Sequence, residues 1–349
     1  MSTSETSSEG AGSALEVSGV NKELVASGAS KLGFVKSRDL WFNDGSVVLV
    51  ADKTAFRVHA SILSSNASVF QDMFSLPPSN LPDSELYEGC PFVVVHDSPT
   101  DLRHFLKTIY DLSYFRSNSK VKFEVLAAIA RLSTKYDSPY LRQRAIDTLA
   151  TTFPSSLSGW DNRHTSRLIP PFQGALGQCL SLAVECDFRV ILPSLYFLAS
   201  RFSLPDVASA FRSTQLGEQQ KWDLYTDCLH GLERLRQAET TQILAFLDYS
   251  FVRPGCQNNA NCSDKLNRTR SEAIKKAVDS KPYAQWCSVH ASEVGAQIGL
   301  CEPCKKTVTE SITVARSAIW DQLPQYFGLP DWDTLEAEAR VFEDTSEAK

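Results

Sequence analysis

The stretch from Asp44 to Phe74, DGSVVLVADKTAFRVHASILSSNASVFQDMF, restricts the possible folds more than any other. Val47 to Val50 is an apolar run rich in β-branched residues, the composition of a buried strand. Asp52-Lys53 is polar and turn-like. Phe56 and Val58 then alternate with Arg57 and His59, as in a half-buried strand. The two strands predict a hairpin. Two short helices should follow. Ile62 and Leu63 belong to the first. Phe70, Met73 and Phe74 recur at i, i+3 and i+4 on one face of the second, and Ser65 or Asn66 can cap between the two.

Beyond Phe74, SLPPSNLPDSELYEGC reads as a loop by its prolines and small polar residues, and Phe92 to Val95 as a third strand. Ser98-Pro99-Thr100-Asp101 is a helix start, with an N-cap hydroxyl, Pro at the first helical position and a carboxylate near the positive end. Leu102, Phe105, Leu106, Ile109 and Tyr110 form its apolar stripe. A second helix spans Lys122 to Leu132. Ser138-Pro139 opens a third, carrying Leu141, Ala145 and Leu149. Strands near 46–51, 55–59 and 92–96, with helices clustered on them, make an α+β unit.

This order resembles the BTB/POZ domain. The residues that carry the resemblance are Asp44, Val47, Phe56, Val58, His59, Leu63, Ser68, Phe70, Met73 and Phe74, and it continues to about Phe153. The spelling, WFNDG before the strand and SLPPS after the helix, is similar to the expanded BTB family of mushroom-type (basidiomycete) fungi. The resemblance implies a non-enzymatic protein-interaction module that associates with itself or with other proteins. Cullin-3 ubiquitin-ligase adaptors and transcriptional co-regulators are the settings it suggests. It also implies roles for single residues. An acid at Asp44 contributes to the interface pocket of dimeric relatives, and His59 matches the family's histidine. Leu86-Tyr87-Glu88 is similar to the hydrophobic-x-Glu element of cullin-binding members, although it lies further from Met73. Read from the residues alone, Asp44 is equally a turn residue in Asp44-Gly45, and His59 a histidine with its hydrogen bonds satisfied. Swapped dimers of the family use a strand and a helix ahead of the hairpin. Here the pattern from Asn21 to Phe42 is weak, so a dimer without a swap is expected.

The 349 residues have room for more than one domain. Residues 1–37 read as a disordered or weakly structured tail, with a short helix within Asn21 to Lys36. Residues 38–153 read as the BTB unit, 154–174 as a linker, 175–250 as a helical extension and 251–345 as a helical, Cys-rich region. Leu132-x-x-Lys135-Tyr136-x-x-Pro139 recurs as Leu198-x-x-Arg201-Phe202-x-x-Pro205, and loosely as Leu323-x-x-Tyr326-Phe327-x-x-Pro330. Each reads as a helix joint with an aromatic plug. A net charge of −6 argues against a nucleic-acid-binding surface spread over the chain. No apolar run is long enough to cross a bilayer, and the N-terminus lacks a signal-peptide pattern. An intracellular protein, cytoplasmic or nuclear, is expected, with its nine cysteines reduced. No GxSxG, P-loop or Rossmann glycine series is present, so neither an enzyme nor a small-molecule substrate is expected.

The cysteines divide by context. Cys90, Cys179, Cys186 and Cys228 sit among apolar residues and read as small hydrophobes. Cys256-x5-Cys262 and Cys301-x2-Cys304 are different, because two thiolate pairs can close a tetrahedral shell around one zinc ion. Cys287 and His290 are rival ligands. The alternatives are buried reduced thiols or a redox-sensitive pair. A catalytic zinc, or a zinc-dependent nucleic-acid binder, is the competing functional class. The absence of HExxH or a comparable general base and the lack of C2H2 spacing disfavour both.

Overall fold

A computed structural model describes residues 33–75, 86–278 and 291–340. They fall into two units, 33–59 with 86–96, and 60–75 with 97–340.

The first unit is a five-stranded sheet of order β1-β3-β2-β5-β4. Its strands are β1 (Val35–Trp41), β2 (Val47–Ala51), β3 (Thr54–Val58), β4 (Leu86–Tyr87) and β5 (Cys90–Val95). The predicted hairpin is β2–β3, antiparallel with Val47 opposite Val58 and Ala51 opposite Thr54. Its turn puts Asp52 at φ +47, a conformation Asp tolerates better than most residues. β2 is the central strand and all five of its residues are buried, which explains its unbroken apolar run. β5 runs parallel to β2, with Val48 opposite Phe92. Val48, Val50, Ala55 and Cys90 form a core that Phe34, Trp41, Tyr87 and Phe92 flank.

Two strands were not expected. β1 runs parallel to β3, but its register shifts between Lys36 and Trp41. Only Ser37 and Leu40 are buried in it, so the two-residue alternation that marks a strand is broken. At Val35 and Lys36 it stands where the short helix was expected, and the part of that helix and tail through residue 32 lies outside the described residues. β4 is two residues long, too short for any period. Glu88 (φ +49) and Gly89 (φ +78) turn it tightly into β5, the pair of positive φ values a two-residue hairpin loop demands.

The second unit is helical. α1 (Ala60–Asn66) and α2 (Ser68–Ser75) are the predicted pair, and Phe70 is buried. α3 (Pro99–Tyr110) starts as its sequence dictates, with the Ser98 hydroxyl accepting from the Asp101 amide and Pro at the first turn. α4 (Phe123–Lys135) and α5 (Pro139–Ala150) follow. Tyr136 plugs their joint and Asp137 takes φ +50.

Residues 154–174, expected as a linker, hold α6 (Leu157–Ser166). One residue explains the discrepancy: Trp160 is 1% exposed, while the rest of WDNRHTS is polar enough to hide a helix face. α7 (Ala175–Glu185), α8 (Leu192–Ala199), α9 (Leu204–Arg212) and α10 (Glu218–Thr241) make up the extension. Trp160 meets Phe197 edge-on at 5.0 Å and Trp320 at 5.6 Å. The C-terminal region contributes α11 (Asn259–Val278), α12 (Ala291–Ile298), α13 (Glu302–Asp321), α14 (Leu323–Tyr326) and α15 (Trp332–Ala339). The Trp320 indole donates to the Ser155 carbonyl at 2.5 Å, and Arg316 on α13 pairs with Asp161 on α6 at 2.7 Å.

Of the three repeated joints, Tyr136 and Phe327 are buried plugs. Phe202 is 42% exposed and plugs nothing. The motif is therefore a recurring helix joint, not a repeat surface. No helix among the described residues is long and apolar enough to cross a membrane.

Candidate functional site

The Cys-rich region is helical, as its sequence predicts, and both cysteine pairs sit at helix starts. Gly255 (φ +71) turns the chain into Cys256, and Cys262 lies in the first turn of α11, its amide donating to the Asn258 carbonyl at 3.0 Å. The five-residue gap thus spans a turn and the beginning of a helix. On the other side, Gly299 (φ +73) ends α12, and Cys301 is the N-cap of α13. Pro303 occupies the first turn and Cys304 follows it, fully buried. Lys265 on α11 donates to the Gly299 carbonyl at 2.5 Å, which ties the two helix starts together.

The result is that Cys256, Cys262, Cys301 and Cys304 place their sulfurs within 4.8 Å of one another. Cys256 and Cys301 are 3.9 Å apart. A tetrahedron with zinc–sulfur bonds of about 2.3 Å has sulfur–sulfur edges of about 3.8 Å, so the cluster is close to the required size. Cys262 and Cys304 are buried and the other two half-buried.

The electrostatics fit a cation at the centre. The Cys301 thiol is pulled down to about 6, chiefly by backbone amide hydrogen bonds from Gln257 and then Cys304. The Cys304 amide belongs to the positive end of α13. Burial first, and then the neighbouring cysteines, push Cys304 up, and burial raises Cys262. One thiolate is stabilised and a second is opposed, until a divalent ion compensates the charge. Four sulfurs also complete a zinc shell and leave no position for water or substrate. The rival ligands Cys287 and His290 lie outside the described residues.

The interaction residues predicted in the sheet unit fall at one of its ends. His59 Nε2 is 3.3 Å from Asp44 Oδ1, and the Phe42 ring lies 5.2 Å from the imidazole. That contact, first, and then its own backbone hydrogen bond hold the Asp44 carboxyl below the usual range, although it is largely exposed. Glu88 pairs with Lys36 at 2.6 Å, and Lys36 also lies over the Trp41 ring. Leu86 opposes Pro91 across the β4–β5 pair. The parallel β2–β5 register brings the residues before both strands to the same end of the sheet, where the Cys90 thiol donates to the Gly45 carbonyl at 3.3 Å. Asp44 and Glu88 therefore share that end. In place of an isolated three-residue motif, Leu86-Tyr87-Glu88 is a short edge strand running into a turn.

Sequence reasoning passed over Thr152, Arg163 and Arg167, which line a cleft beside Trp160. They sit in or next to the stretch read as a linker, and only Trp160 marked it as a helix face.

No curated protein and no solved structure matches the chain. One family model does match part of it, over the stretch that holds the hairpin, the helix pair, β5 and the three helices after it. Residues 42–152 are a BTB/POZ domain, a protein-interaction module, and the chain continues from it into a mostly helical remainder.

Proposed function

We propose that this protein is a non-enzymatic interaction adaptor. Its BTB domain engages protein partners, with Asp44, His59, Leu86 and Glu88 as contact residues. The match over residues 42–152 carries this reading. Asp44, largely exposed beside His59 at one end of the sheet, is open to a partner. Self-association without a strand swap, a cullin-3 ligase or a transcriptional complex are the settings the domain supports, in the cytoplasm or nucleus. The WFNDG and SLPPS spellings support a place in the expanded fungal BTB family. Light scattering on the full chain, alone and with the N-terminal region of cullin-3, tests the proposal. A mass near twice 38.7 kDa, or a stoichiometric complex with cullin-3, is expected. A monomer that ignores cullin-3 removes the first two of these settings and leaves the transcriptional complex.

A second reading concerns the cysteines. They hold a structural zinc that fastens the starts of α11 and α13. The convergence of four sulfurs within 4.8 Å supports it. A closed four-sulfur shell suits neither metal-dependent catalysis nor the spacing of a nucleic-acid-binding finger. Elemental analysis of the purified chain should find one zinc per molecule. Metal-free protein with four freely titrating thiols rejects the idea.

A further inference from the structure

A cleft of about 160 Å³ lies between the end of α5, α6, the segment 169–172 and the start of α7. A cavity of about 150 Å³ admits benzene, so this one is the size of a single ring. Its lining is mostly apolar, with Phe153, Trp160 and Ile169 buried. Two cations, Arg163 and Arg167, also line it, together with Thr152 and His164. Among the described residues no carboxylate pairs with Arg163, Arg167 or Arg201. The acid on α6, Asp161, is engaged by Arg316 at 2.7 Å.

Arg163 is only 8% exposed. It lies 3.6 Å over the Trp160 ring and donates to the Trp160 carbonyl at 2.7 Å, and its other N–H donors have no partner among the described residues. Burial, and next the charge of Arg201, push its guanidinium down to about 10. The charge of Asp161 partly offsets this, but among the described residues no carboxylate lies within ion-pair distance of Arg163, so an anion in the cleft would stabilise it.

We propose that this cleft binds a carboxylate carried on a ring-sized apolar body, with the carboxylate on Arg163 and Arg167 and the ring against Trp160 and Ile169. A planar guanidinium fork matches a carboxylate. A dianionic phosphate would need more donors than this apolar lining supplies. The same chemistry has two sources, a free small aromatic acid or the C-terminal residue of a partner polypeptide. The site is independent of the BTB reading and of the cysteine cluster.

The test is isothermal titration calorimetry of the full chain. The probes are 3-phenylpropionate and its amide, and N-acetyl-glycyl-phenylalanine as free acid and as amide. At least one acid should saturate, with its amide weaker by about tenfold or more, since a hydrogen bond to a charged group is at stake. The acid that binds tighter identifies the source. Arg167→Gln should weaken the acid by about tenfold while leaving the amide unchanged. Equal binding of acid and amide overturns the proposal. So does the failure of both acids to saturate folded wild-type protein, or unchanged acid binding in Arg167→Gln.

Discussion

Phe70→Ala tests the helical part of the BTB domain at its most buried aromatic contact. The Phe70 side chain is 0% exposed. Its ring stacks on Tyr136 at 4.3 Å with an interplanar angle of 20°, and on Phe74 at 5.8 Å. Tyr136 cannot follow the lost ring into the space, because its hydroxyl donates to Asp97, which Lys135 also holds at 2.6 Å. Nor can α2 collapse easily. The Ser68 amide donates to the Asp137 carbonyl at 3.1 Å, and the Ser68 hydroxyl to the Asp137 carboxylate. Both tethers survive the substitution, so a cavity persists. Phe→Ala at such a site costs about 3–5 kcal/mol, and a lost stacked pair accounts for about 1 kcal/mol of that. We expect about 4 kcal/mol, and under about 1.5 kcal/mol for Phe70→Leu, which keeps most of the volume. Urea denaturation of the full chain, followed by far-ultraviolet circular dichroism, reads both. A Phe70→Ala loss below about 1 kcal/mol would refute the argument, because no fully buried, tethered ring site relaxes that completely.

Three further outcomes are expected. Cys304→Ser should release about one zinc per chain and lower the melting temperature, by removing one of four thiolates; retained stoichiometric zinc would mean another residue completes the shell. Gly231→Ala on α10 should be strongly destabilising in thermal melts, because the added methyl carbon would sit 1.9 Å from the Phe327 ring, and a wild-type melting temperature would show that ring free to move aside. His104 titrates below the ordinary value of 6.5, chiefly by burial, with Asp101 opposing. Its neutral form is thus favoured in the folded chain, the unfolded chain takes up the proton first, and stability falls as pH drops through the ordinary imidazole range toward the lowered folded value. Denaturation of His104→Gln between about pH 7 and 5 should show a shallower loss than wild type, and an identical slope would assign the effect elsewhere.

Much of this protein is written in short-range pattern. β2 and β3 were legible from a β-branched run and a two-residue alternation, and α3 from Ser98-Pro99 and its apolar stripe. These signals are local because backbone geometry repeats every two or 3.6 residues whatever surrounds it. The two cysteine pairs were also visible as candidate ligands by spacing alone. Other features have no local signature. β1 pairs with β3 across a register irregularity that erases its period, and β4 is too short to have one. α6 buries a single large apolar residue, Trp160, so its helical face depends on Phe197 and Trp320, which lie 37 and 160 positions away in the chain. The same holds for function. That Cys256 and Cys262 meet Cys301 and Cys304 is decided by how the starts of α11 and α13 are fastened, and that Arg163 and Arg167 share a cleft with Ile169 and Cys179 is decided by how α6 packs beside α7. Periodicity chooses which face a segment buries, but only close packing of distant segments chooses what that face meets.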